Sequence, residues 1–161
     1  MAANPAGDDN ATGQPFEDMD GDIHWNGTTI YSEDATIVGQ IVQTSATKLI
    51  GYGTGAGGAV TQATSRSTGV TLSKPTGQIT TDATSLAAAA EATFTVTNTL
   101  VADTDVVVIC SSGGQTAGTS IPAVTAVAAG SFDITLTNLH ASTADTGAMV
   151  INFVVIKGVA A

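Results

Sequence analysis

At 161 residues the chain has room for one domain of ordinary size plus an arm, and its 43% apolar share is enough to build a core. Aromatic residues make up only 4% and charged residues 11%, so the core must be assembled from small side chains. The net charge of −10, with four basic residues scattered at Lys48, Arg66, Lys74 and Lys157, argues against unaided nucleic-acid binding and against an anionic membrane surface.

A single cysteine, Cys110, rules out an intramolecular disulfide and fits folding in a reducing cytoplasm. The opening MAANPAGDDN has neither the basic start nor the apolar run of a signal peptide. No apolar run is long enough to span a bilayer as a helix.

Eight of the fourteen acidic residues lie between Asp8 and Asp34, and no Lys or Arg precedes Lys48. Residues 1–34 therefore read as an extended acidic arm, with 1–27 having the composition of a segment that does not fold alone. Phe16, Trp25 and Tyr31 sit in this arm. They read either as anchors that dock it on a partner or as a cover for the edge of the β domain. Asp22, His24, Asn26, Gly27 and Glu33 match the spacing of a calcium loop. A His nitrogen suits a hard cation poorly and neither flank is helical, so we read an acidic turn without metal.

Residues 35–161 read as a β-sandwich or jelly-roll-like domain, with 35–80 a candidate semi-independent β segment and linker. Strands are expected at Thr28–Tyr31, Thr36–Gln43 and Thr47–Tyr52. Gly53, Gly55 and Gly58 spell GxGxxG, but a strand-like stretch follows where a phosphate site needs a helix N-terminus. Thr61–Thr71 is rich in Thr, Ser and Val and is expected to be extended. Short strands are expected at Thr68–Leu72 and Gln78–Thr81, joined by a turn at Ser73–Gly77. Ser85–Ala92 favours helix by propensity, yet it spans only about two turns, so a loop or single helical turn is expected.

Phe94, Val96 and Asn98 alternate with threonines, which marks a half-buried strand. Val106–Cys110 is a continuous apolar run and reads as a central strand covered on both faces, with Cys110 a buried small hydrophobe. Asp103 and Asp105 read as solvated loop acids. Ser111–Thr119 is expected to be a loop, and Ile121–Val127 a strand carrying Pro122, a residue that belongs at an edge or a strand start. Ala128–Gly130 turns into Phe132, Ile134 and Leu136, Asn138–Gly147 connects, and Met149–Lys157 closes the domain. The expected core is Ile41, Leu49, Val70, Leu72, Phe94, Val96, Val106, Val108, Val124, Phe132, Ile134, Leu136, Val150, Phe153 and Val155.

No nucleophile–base set, metal set or paired carboxylates emerge, so enzymatic chemistry, a cofactor and a small-molecule substrate are not expected. His24, His140 and Cys110 could supply a base and a nucleophile only if the fold gathered them.

The phrases GAGGAVTQATSRSTGVTLSKPTGQIT (55–80), ATFTVTN (92–98), AVAAGSFDITLTN (126–138) and VINFVVIKG (150–158) together resemble small virion structural proteins of tailed bacteriophages, namely capsid decoration (cement) proteins and head-fibre or tail-fibre modules. The resemblance covers residues 50 to 161. It implies a homotrimeric β domain on the outside of an icosahedral shell, with the major capsid protein as partner, made in the host bacterial cytoplasm. The alternative it leaves open is a fibre module that reads host polysaccharide through Ser111–Thr119 and Asn138–Gly147.

Overall fold

The computed structural model describes residues 15–17, 23–25, 46–47 and 50–160. The chain divides into two compact units, Met1–Leu49 and Ile50–Ala161. In the first, β1 (Pro15–Glu17) pairs antiparallel with β2 (Ile23–Trp25), placing Phe16 opposite His24. The stretch that reads as unable to fold alone thus contains a short hairpin, whose Ile-His-Trp strand is rich in residues that favour extended backbone. The strands expected at Thr28–Tyr31 and Thr36–Gln43, along with Tyr31, Ile41 and Leu49, lie outside the described residues.

The second unit is an all-β sandwich with no helix among its described residues. Its strands are β3 (Gly57–Thr61), β4 (Val70–Thr71), β5 (Thr76–Thr80), β6 (Glu91–Thr97), β7 (Val106–Gly113), β8 (Ser120–Ala128), β9 (Ser131–Asn138) and β10 (Val150–Ile156). One sheet has the order β3-β5-β10-β7 and the other β4-β6-β9-β8. From β3 to β8 every connection crosses between the sheets, so β3 lies parallel to β5 and β4 parallel to β6. Among the described residues of this unit the one hairpin is β8–β9, turned by Ala129 and Gly130 with Gly130 at φ 82°.

The core fills the space between the sheets. Phe94 and Val96 of β6 and Phe132, Ile134 and Leu136 of β9 face Ile79, Ile151, Phe153 and Val155 of the opposite layer, and all are almost fully buried. The Phe132 and Phe153 rings meet at 5.4 Å between centroids, tilted by 59°. Gly58 and Gly77 are paired neighbours, and a Cβ on either would strike Leu72; one on Gly77 would also strike Phe153. Their missing side chains admit those larger groups.

Eight members of the expected core are buried: Val70, Phe94, Val96, Phe132, Ile134, Leu136, Phe153 and Val155. Leu72 and Val124 pack against it in part. Val106 and Val108 do not belong there, being 55% and 47% exposed. The apolar run 106–110 forms not a central strand but an edge strand with one neighbour, β10, and its side chains alternate inward and outward. Cys110 is accordingly exposed. In β10 the inward set is Ile151, Phe153 and Val155, continued by Met149 just before the strand, and Val150 is half-buried.

Thr61–Thr71 is extended only at its ends, since residues 62–69 form a loop. Ala46 and Thr47 form a bend, and Ile50–Tyr52 has no regular structure. The SLAAAAEA segment makes no helix. Leu86 bridges Asp145, Ala88–Ala89 turns with Ala89 at φ 58°, and β6 begins at Glu91. The glycine run leads through a turn at Thr54–Gly55 into β3, so no helix N-terminus faces it.

Candidate functional site

Four loops meet at one end of the sandwich, and buried polar side chains hold them. Arg66, from the 62–69 loop, is 3% exposed. Its Nε donates to the Thr84 carbonyl at 2.5 Å, and its Nη2 donates to the carbonyls of Gly147 at 2.7 Å and Asp145 at 3.2 Å. Its Nη1 lies 3.5 Å from Asp145 Oδ2. Asp145 Oδ1 in turn accepts from the amides of Thr116 at 2.8 Å and Gly147 at 3.1 Å. One charged pair thus ties the loops before β4, before β6, after β7 and before β10.

Burial pushes the Asp145 carboxyl up, but the Thr116 amide, the neighbouring Ser120 hydroxyl, the Gly147 amide and the Arg66 charge outweigh it and leave the group below its ordinary value. Arg66 Nη1, Ser120 Oγ and Asp145 Oδ2 are buried without hydrogen-bond partners among the described residues, so the Arg66–Asp145 contact is held by charge rather than by a short hydrogen bond.

Around this pair the loops close tightly. Gly114, at φ 87°, and Gly147 approach so closely that a Cβ on Gly114 would lie 1.9 Å from the Ala148 carbonyl oxygen. Asn138 ends β9, and its Nδ2 donates to the carbonyls of Leu86, Ala87 and Thr143 at 3.0 to 3.1 Å. Gln62 Nε2 donates to Arg66 and Thr68 carbonyls, and its Oε1 accepts from the Asp82 amide. His140 Nδ1 accepts from the Ser142 and Thr143 amides at 3.2 and 2.9 Å. His140 is a loop brace here, and Cys110 lies on the outer face of β7.

Asp105 overturns the reading of 103–105 as ordinary loop acids. Its side chain is buried, and its Oδ2 accepts from the Ala102 amide at 2.8 Å and from Lys157 Nζ at 2.5 Å. Its Oδ1 accepts from the Gly158 amide at 3.1 Å. The Ala102 amide, Lys157 and the Gly158 amide hold the carboxyl down at about 2 against the opposing effect of burial. A lowered folded-state pKa contributes stability above the ordinary value of 3.8, and that contribution is lost as pH falls toward about 2. The unfolding midpoint should therefore drop across that window, and Asp105→Asn should flatten the drop. An unaltered acid limb in the variant would refute this assignment.

The two outer faces of the sandwich differ. On the β4-β6-β9-β8 sheet, Thr135 Oγ1 shares hydrogen bonds with Thr93 Oγ1 at 2.8 Å and Thr125 Oγ1 at 3.0 Å, and Thr95 donates to Asp133 at 2.7 Å. The threonine hydroxyls on that face thus bond one another, with Ile121 exposed beside them. On the other sheet, the register aligns Val106 with Ile156, Val108 with Val154, and Cys110 with Asn152. Val108, Cys110, Asn152 and Val154, with Thr76, line a shallow hollow that is apolar for most of its surface.

Phe16 and Trp25 lie on the paired strands β1 and β2, and Tyr31 is outside the described residues. No group of three or more metal-ligating side chains occurs among the described residues, and no helix there is long and apolar enough to cross a membrane. Asp145, Arg66 and Asn138 were not singled out from the sequence as functional residues. The available signal was a lone Arg in an otherwise uncharged stretch, which has to find an acid once buried. Comparison with protein-family models, with curated proteins and with solved structures gave no match.

Proposed function

We propose that the protein is a virion structural component that decorates a bacteriophage capsid as a homotrimer and stabilises it, with the acidic arm and its Phe16, Trp25 and Tyr31 anchoring it to coat subunits or neighbouring trimers. The major capsid protein is the partner, and the outside of the shell is the location. The observation that carries this reading is where the sandwich places its polar and apolar groups. Arg66, Asp145, Asn138 and Gln62 are used to close the molecule's own loops, while valines and an isoleucine face outward on one sheet. That arrangement suits association and rigidity. The bacteriophage phrases in residues 55–158 supply the setting.

A clamp that binds only assembled coat stabilises the assembled state by mass action, and several copies per contact site add avidity. A strongly negative exterior keeps crowded copies soluble. Deleting residues 1–34 should leave a folded sandwich that no longer co-sediments with shells of the virus that encodes it. Undiminished binding by the truncated chain would contradict the proposed anchoring.

A further inference from the structure

The four sheet edges are not equally protected. An exposed edge offers unpaired backbone groups to another strand, and folded proteins blunt it with short length, proline, a bulge or charge. β4 is two residues long, and β3 is five residues beginning with Gly57-Gly58. β8 carries Pro122 and a register shift between Val124 and Ala126. β7 is eight residues long and has no proline and no charged residue. Its register with β10 is unbroken from Val106 to Ser111, and the one shift comes after that. Its outward side chains are Val106, Val108, Cys110 and Ser112, all exposed.

We infer that β7 is the contact strand between two copies of this chain, paired antiparallel to itself across a twofold axis, so that two β3-β5-β10-β7 sheets join into one. Charge favours a second copy at this place. Two chains of net charge −10 repel, and they can meet only where neither presents an acid. The outer face of β7 qualifies, because the nearest acid, Asp105, is buried and paired with Lys157 at the start of the strand. The sequence of β7 also suits pairing with itself, since residues opposite one another must lie on the same face. Any twofold centred on a residue of β7 meets this condition, and the one centred on Val108 sets Val108 opposite its own counterpart and Val106 opposite the second copy's Cys110. Cross-strand contacts between β-branched side chains then stabilise the joint, and Val154 and Ile156 extend the apolar strip beside it.

This goes beyond the decoration reading. A threefold axis joins copies within one trimer, and a β7 pair joins copies that the threefold does not. The test is the mass of the full chain in solution, by light scattering and sedimentation across a wide concentration range, for the wild type, Val108→Lys and Ile121→Lys. The wild type should form an even multiple of the monomer, a dimer or a hexamer. Val108→Lys, which sets like charges face to face, should halve that mass while keeping the β circular-dichroism spectrum. Ile121→Lys, on the exposed face of the other sheet, should leave the mass unaltered. If Val108→Lys fails to fold, Cys110→Lys on the same face replaces it. A dimer that Val108→Lys converts to monomer supports the β7 pair and removes the trimer. A wild-type trimer or monomer, or a mass that Val108→Lys leaves intact, overturns the β7 pair. A trimer would still leave the decoration reading standing.

Discussion

Replacing Asp145 with alanine should destabilise the sandwich by about 3–5 kcal/mol, the usual cost of leaving a buried partner charge uncompensated. Arg66 would keep its positive charge at 3% exposure with no acid beside it. The Thr116 and Gly147 amides would lose their acceptor at the same time. Asp145→Asn keeps an oxygen for those amides and should cost less. Replacing both members of the pair by apolar residues, Arg66→Met with Asp145→Leu, should recover part of the loss, because the desolvation of both charges is then removed as well. Urea unfolding of the three variants reads all of this. A midpoint for Asp145→Ala within error of wild type would show that the pair does not hold the loops.

A second large effect is expected at the centre of the core. Phe153→Ala should cost about 3–5 kcal/mol, because it removes a buried ring and leaves a cavity that its neighbours fill only in part. Collapse is hard at this place. Phe153 packs against the Phe132 ring and lies over Gly77, which has no side chain to move into the space. Val108→Ala, on the same sheet but facing outward, should shift the unfolding midpoint of the separated chains only slightly. Equal losses at the two positions would mean that the inward and outward faces have been assigned wrongly.

The sandwich was legible where alternation was strict. Phe94 and Val96, then Phe132, Ile134 and Leu136, placed β6 and β9 with the correct face inward, and Pro122 allowed either an edge or a strand start, of which the sheet order selects the edge. The layer crossings were not legible. Parallel pairing of β3 with β5 depends on the chain visiting the other sheet between them, and no local pattern encodes that visit. The same gap explains β7. A run of valines reads as a strand covered on both faces, and only the sheet order shows that one face and one edge are open. At Asp105 spacing gave no warning, because its environment comes from Lys157 and Gly158, distant in sequence. Arg66 and Asp145 are likewise joined across long separation. Of the arm's three aromatic residues, the strands place Phe16 and Trp25 on a hairpin, and their proposed role rests on composition.

The most direct test of the decoration reading is the copy number of this chain in purified particles of its virus, measured by quantitative mass spectrometry against the coat subunit. The account predicts a copy number of the same order as the coat subunit, retained after extensive washing. A chain missing from the particle, or present at a small fraction of the coat as a fibre would be, contradicts it.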